Sequence, residues 1–270
     1  GRVLPDVPIR EPARTPVRIY GGPMSCHYLD VRDLRYAYPD GTEALKGASF
    51  RLEHGEAVGL VGANGAGKST MMLALTGLIF PSGGTIDVGG TLLSKKTVGE
   101  VRRRIGFVFQ DSEDQLFMPT VFDDVAFGPL NQGLSEPEVR ERVTEALERV
   151  GAERLADRPT YRLSGGEKRA VAIATVLAML PDVLIMDEPG SGLDPYGRRL
   201  LIGLLRDFRH TRLIATHDLD MVLDVCPRTI VLHEGRIAAD GDTRTVFSDA
   251  ALLERCRLEQ PSGMRGMTMP

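Results

Sequence analysis

The stretch Gly62-Ala63-Asn64-Gly65-Ala66-Gly67-Lys68-Ser69-Thr70 constrains this chain more than any other, because it fulfils the whole pattern G-x-x-x-x-G-K-[ST]. An apolar run, Ala57 to Val61, precedes it as a buried strand would, and the helix-forming MMLALTGL follows it up to Pro81. Strand, glycine loop and helix are the three parts of a polyphosphate cradle. The loop glycines let backbone N–H groups curl around an anion, and the new helix turns the positive end of its dipole towards the same point. In this pattern Lys68 reaches the terminal phosphates and Ser69 offers its hydroxyl to Mg²⁺.

At 270 residues, with 42% hydrophobic and 26% charged, the chain has the composition of a globular protein able to bury a core. No apolar run reaches the roughly 18 residues that a membrane helix needs, and no leader pattern is present, so the expected location is the cytosol. Cys26, Cys226 and Cys256 lack metal-type spacing and read as reduced thiols. A net charge of −4 offers no basic field for a nucleic acid backbone.

The first 25 residues, rich in proline and arginine, read as a flexible arm. YLDVRDLRYAY from Tyr28 and ALKGASFRL from Ala44 alternate like strands around the turn at Pro39-Asp40-Gly41, which predicts an antiparallel edge. TIDVGG and RIGFVFQ, ending at Gln110, are further strands. Ser135 to Val150 is a helix with a Ser135–Glu138 capping box and Val139, Val143, Leu147 and Val150 on one face. VLIMD, ending at Asp187, and RLIAT, before His217, have the continuous apolar character of central parallel strands. A hairpin around Glu234-Gly235, a short helical segment and a loose tail at 261–270 close the chain.

Asp187 and Glu188 stand where an apolar strand leaves the sheet, the place where ligands gather in open α/β folds. One carboxylate there suits Mg²⁺ and the next suits an attacking water. Leu163, Ser164, Gly165, Gly166 and Glu167 then open an apolar helix running to Leu180, whose start is a second anion site. With this LSGGE in place, Tyr28 to Gln260 resembles the ATP-binding cassette family, whose signature reads LSGGQ. The resemblance implies an α/β P-loop ATPase with a mostly parallel central sheet, an antiparallel β subdomain, and a helical subdomain over about 111–180 that carries the signature, all within 26–260.

It also implies roles for residues that carry little weight alone. Tyr38 matches the aromatic that stacks on adenine, and Gln110 the Q-loop glutamine that senses Mg²⁺ and the water. Asp194 matches the D-loop aspartate, and His217 the switch histidine on the γ-phosphate. Lys68, Gln110, Glu188 and His217 are thus the expected catalytic set, and Ser69, Gln110 and Asp187 the expected Mg²⁺ set. Gly62, Asn64, Gly65, Ala66, Gly67, Lys68, Ser69, Thr70, Ser164, Gly165, Gly166 and Glu167 are expected around ATP. In the family each ATP lies between Lys68 of one subunit and Ser164 of another, so a head-to-tail dimer is expected and monomers should hydrolyse poorly.

FQDSEDQLF followed by PTVFDDVAFGPLNQGL is similar to the ATPases of energy-coupling-factor importers of cobalt or nickel. Such a chain would work at the cytoplasmic face of the membrane with an integral coupling subunit and a substrate-binding membrane subunit. The acidic run Asp111, Glu113 and Asp114, beside Leu116 and Phe117, is the expected rim of the partner groove. Two alternatives are an importer of another solute and a DNA-repair-type ATPase. The latter would need a long heptad coiled coil between phosphate loop and signature, where only roughly ninety residues without heptads lie. A P-loop kinase would leave LSGGE without purpose. Met264, Met267 and Met269 read as part of the loose tail.

Overall fold

A computed structural model describes residues 27–207 and 211–264. The expected arm lies outside the described residues. β1 (His27–Ala37) and β2 (Glu43–Glu53) form a hairpin, and β3 (Ala57–Val61) enters the molecule beneath it. Then come α1 (Lys68–Leu75), β4 (Gly83–Val88), β5 (Thr91–Leu92), α2 (Val98–Arg104) and β6 (Ile105–Val108). Three helices follow: α3 (Val121–Asn131), α4 (Glu136–Arg149) and α5 (Gly165–Leu177). The chain then runs through β7 (Val183–Asp187), α6 (Pro195–Asp207), β8 (Thr211–Ala215), α7 (Leu219–Val225), β9 (Arg228–His233) and β10 (Arg236–Asp242). It finishes with α8 (Thr243–Ser248) and α9 (Ala250–Arg255).

One sheet has the order β2-β1-β4-β5 and is antiparallel; the other has the order β10-β9-β3-β8-β7-β6, parallel except for its β10 edge. The central strands β3, β7 and β8 are buried throughout and mostly apolar because both faces are covered. Val58 and Leu60 of β3, Val183 and Ile185 of β7, and Leu213 of β8 pack under the antiparallel sheet and α1. Val61, Leu184, Met186 and Ile214 pack on the opposite face with α3, α4 and α5. Each such buried branched side chain contributes about 1.5–3 kcal/mol. The helices α3 to α5 thus hang beside β6 and β7, and the phosphate loop, Gln110, Asp187, Glu188 and His217 all follow the C-terminal ends of the parallel strands β3, β6, β7 and β8.

Three local expectations are adjusted and one is met. β6 stops at Val108, short of Gln110, because the Phe109 N–H is taken by the Gln115 side-chain carbonyl at 3.1 Å instead of a strand partner. α5 ends at Leu177, not Leu180, where Leu180 turns into the left-handed region at φ 49. The expected loose tail is packed as far as Met264, which is buried. Asp220 holds it, accepting from the Ser262 hydroxyl at 2.5 Å and the Gly263 N–H at 2.9 Å. Met267 and Met269 lie outside the described residues. The Ser135–Glu138 cap is formed, with Glu138 accepting the Ser135 N–H at 2.8 Å.

Candidate functional site

The phosphate loop leaves β3 at Gly62, where a Cβ would lie 2.3 Å from the Leu232 carbonyl on β9; only glycine fits so close to the neighbouring strand. It re-enters regular structure at Gly67, the N-cap of α1, with φ 106. The β9–β10 turn braces the loop, since the Gly235 N–H donates to the Ala66 carbonyl at 3.0 Å. Asn64, Gly65 and Ser69 are exposed, whereas Lys68 and Thr70 are buried. Lys68 Nζ donates to the Gly62 carbonyl at 2.7 Å. Burial lowers the Lys68 pKa, against the opposing charges of Glu188 and Asp187. The ammonium is therefore desolvated and pre-aimed along the loop, which strengthens any contact with a phosphate.

Ser69, Gln110, Asp187 and Gly165 line one cleft of about 910 Å³ between the central sheet and the helical subdomain. The three residues expected at Mg²⁺ therefore share a wall. Burial first, then the Glu188 charge, raises the Asp187 pKa, while a hydrogen bond from Ser69 and the charge of Lys68 oppose that rise. One carboxylate, one hydroxyl and one amide oxygen fit a cation that keeps water and phosphate oxygens in its shell, as Mg²⁺ does.

Glu188 adopts φ 44, a left-handed conformation that costs a non-glycine residue about 1–3 kcal/mol and survives where its surroundings impose it. Here they do. Its N–H donates to the Ala215 carbonyl at 2.8 Å, and its carboxylate accepts from the Thr216 hydroxyl at 2.8 Å and the His217 N–H at 3.0 Å. His217 Nδ1 lies 2.9 Å from the same carboxylate. Glu188 and His217 are thus brought together, and the His217 side chain is exposed. His217 lines a second cavity, of about 610 Å³, with Gly62, Ala63 and Asn64.

The remaining candidates sit at the rims. Tyr38, partly exposed, has its hydroxyl 2.9 Å from that of Thr70, which tethers the ring to α1. Ser164 is exposed and N-caps α5. It accepts the Glu167 N–H at 3.3 Å while Glu167 accepts the Ser164 N–H at 2.9 Å, so Glu167 completes a capping box. Gly166 follows in the first turn. Asp194 caps α6 through the Gly197 N–H at 2.6 Å, and its neighbours Gly192 and Leu193 line the 910 Å³ cleft.

The acidic run departs from expectation. Asp111, Glu113 and Asp114 line the 910 Å³ cleft with Ser69 and Asp187, not the aromatic groove that holds Phe117. Asp111 caps a tight 3-10 turn at Ser112–Asp114, which reverses the chain and sends Gln115 and Phe117 to the other side. There Phe107, Phe109, Phe117, Phe127 and Met179, with Arg102 and Arg103, line an apolar groove of about 430 Å³ that shares Phe107 and Phe109 with the 910 Å³ cleft.

Sequence reasoning missed several residues that hold these groups. Thr216 orients Glu188. Arg198 forms a two-pronged pair with Asp218 at 2.8 and 3.0 Å, joining α6 to α7 beside His217. Arg169 and Gln115 fasten the Gln110 loop to α5. The one local signal was an arginine inside the otherwise apolar run of α5.

Comparison with known proteins agrees with this geometry. The family pattern described as ABC transporter matches residues 45–191. A Geobacter sulfurreducens protein assigned as an ABC transporter ATP-binding protein is 62% identical over 90% of this chain and 98% of its own length. The energy-coupling factor transporter ATP-binding protein EcfA of Methanosphaera stadtmanae is 46% identical, covering 86% of each chain. The solved structure of CbiO1 from Clostridium perfringens, part of the ABC transporter complex CbiONQ, superposes with a TM-score of 0.78 at 42% identity, covering 86% of this chain and 94% of that one.

Proposed function

The chain belongs to the ABC transporter family, and from that premise we propose that it is the ATP-binding and ATP-hydrolysing subunit energising an energy-coupling-factor importer, with cobalt or nickel as cargo. The observation that carries the importer reading is the aromatic groove. Phe117 is 63% and Phe127 43% exposed, their rings meeting edge-on at 5.0 Å, on a chain whose described residues include no helix long and apolar enough to cross a membrane. An exposed aromatic cluster of this kind suits a partner helix. Asp124, 3% exposed, lines the same groove and accepts the Phe117 and Met118 N–H groups at 3.1 and 3.0 Å, which fixes the segment that presents Phe117. The partner is the integral coupling subunit, which also contacts a substrate-binding membrane subunit, so the ATPase works at the cytoplasmic face.

ATP is bound by the phosphate loop with Tyr38 at the base, and Ser69, Gln110 and Asp187 would hold Mg²⁺, which would supply charge neutralisation at the phosphates. Lys68 neutralises the terminal phosphates, Glu188 orients the attacking water and His217 contacts the γ-phosphate. Two copies close head to tail, so that Ser164, Gly165 and Gly166 of one complete the site of the other. The cargo reading rests on the resemblance of FQDSEDQLF and VAFGPLN to the ATPases of cobalt and nickel importers, and the likeness to the CbiONQ component supports only the transporter role. It is tested by isolating the tagged chain from solubilised membranes and reconstituting the complex in vesicles. ATP-driven uptake of Co²⁺ or Ni²⁺ that stops with Glu188→Gln is expected. Uptake of another solute instead selects the alternative cargo, and isolation without any membrane protein contradicts the importer reading.

A further inference from the structure

Arg169 is 4% exposed, and its hydrogen bonds among the described residues go to no carboxylate. Its two terminal nitrogens donate to successive main-chain carbonyls, Phe109 at 2.7 Å and Gln110 at 2.5 Å, and its Nε has no partner. A buried guanidinium satisfied in this way carries a desolvation cost that an apolar residue of similar volume would avoid. Burial accordingly lowers its pKa, opposed only by the charge of Asp111. A costly group in a place where packing alone would accept methionine calls for a role in position.

The peptides it grips are those that the sheet has released. β6 ends at Val108, and the Phe109 N–H is satisfied by Gln115. Gln115 in turn donates its amide to the Ala172 carbonyl at 2.7 Å and the Thr175 hydroxyl at 2.8 Å, both on α5. Lys168, one residue before Arg169, pairs with Glu113 of the same loop. Lys168, Ala172 and Thr175 recur at helical spacing, so the loop is fastened along one stripe of α5. Gln110, whose side chain is exposed on the cleft it shares with Ser69 and Asp187, rides on that helix.

We infer that Arg169 is a positioning residue for ATP hydrolysis, fixing the Gln110 peptide to the helix that begins at the signature, so that the place of Gln110 in one nucleotide site follows the signature offered to the other. The inference rests on the reading of Gln110 as a group facing Mg²⁺ and the attacking water. Only the forked guanidinium grips both carbonyls in a set geometry, whereas a lysine ammonium is a single flexible point charge.

The test is a double-mutant cycle on ATP turnover by the full chain, with ATP affinity and thermal unfolding measured alongside. Arg169→Met is expected to lower kcat about 30-fold with the KM for ATP within about twofold, because a displacement near 1 Å at a reacting centre costs up to about 10²-fold. Arg169→Lys recovers part of the loss. Added to Gln110→Ala, either substitution is expected to cost less than about twofold more, since no amide remains to be aimed. Multiplying losses in the double variant, or wild-type kcat in Arg169→Met, overturn the inference. A wild-type rate in Gln110→Ala alone overturns it at its root by removing the reading of Gln110. Should Arg169→Met fail to fold, Arg169→Lys runs the same cycle. A purely structural role would lower the unfolding temperature equally with and without Gln110 and leave the kcat of folded protein unchanged.

Discussion

The phosphate loop between Gly62 and Thr70 is held mainly by local contacts, its backbone bonds, the Lys68–Gly62 hydrogen bond and the apolar strands beneath it, whereas the Gln110 loop opposite is held by side chains, one of them arriving from 60 residues along the chain. The first region braces itself with the Gly235–Ala66 hydrogen bond and with strands buried on both faces. The second hangs from α5 by Arg169, Gln115 and Lys168. A cradle built of backbone keeps its shape whatever the helical subdomain does. A loop tied by side chains to a separate helix moves with that helix. This division suits an enzyme that must bind ATP firmly in one half and report the event through the other.

The largest expected effect sharpens that contrast at the strand end shared by both regions. Glu188→Gln is expected to lower turnover about 10³-fold while ATP affinity stays within about twofold, trapping a closed dimer. Turnover rates and nucleotide titration check it, and turnover near wild type contradicts the role of Glu188. Lys68→Ala attacks the self-supporting half instead, and ATP affinity measured by calorimetry is expected to fall about 10²-fold, the loss of roughly 3 kcal/mol of charged contact. Unchanged affinity would show that the backbone alone carries binding.

The pattern of what could be read in advance follows the same division. The glycine loop, the apolar runs of β3, β7 and β8, and the Ser135–Glu138 cap are local codes, written in a few adjacent residues. The left-handed Glu188 is imposed by Thr216, His217 and Ala215 across the sheet, and no local pattern announces it. Gln115, Arg169, Arg198 and Asp220 act through partners far along the chain, so their roles appear only once the fold brings those partners in. The acidic run at Asp111 was visible, but its direction was not, because a single capped 3-10 turn decides which wall it faces.

A third, smaller effect separates the outer surface of the side-chain-held half from its inner one. Phe127→Asp is expected to weaken assembly with the membrane subunit about 30-fold, the scale of an aromatic anchor, while hydrolysis by the isolated ATPase stays within about twofold. Co-purification yield and turnover read the two separately, and normal assembly contradicts the groove assignment.

The smallest effect concerns the stability given up by the backbone-held half. Burial raises the pKa of Asp187 in the folded chain. Its stabilising contribution is therefore fully present below the unfolded value near 3.9 and is lost as pH rises through the folded value. At neutral pH the carboxylate is a cost, so Asp187→Asn is expected to raise the unfolding temperature by about 2–4 °C at pH 8. That gain shrinks as pH falls towards 4. A constant gain across that range, followed by thermal unfolding, would assign the effect to packing instead of charge.

The central claim is that the phosphate loop and the signature of one chain serve different nucleotides, and hydrolysis by mixed dimers tests it most directly. A Lys68→Ala chain and a Ser164→Arg chain, carrying different tags and purified through both, form a dimer in which one site keeps both Lys68 and Ser164 and the other keeps neither. The account predicts that each variant alone is nearly inactive and that the mixed dimer recovers about half of the wild-type rate, as one working site of two would give. Verified mixed dimers no more active than either parent would contradict it.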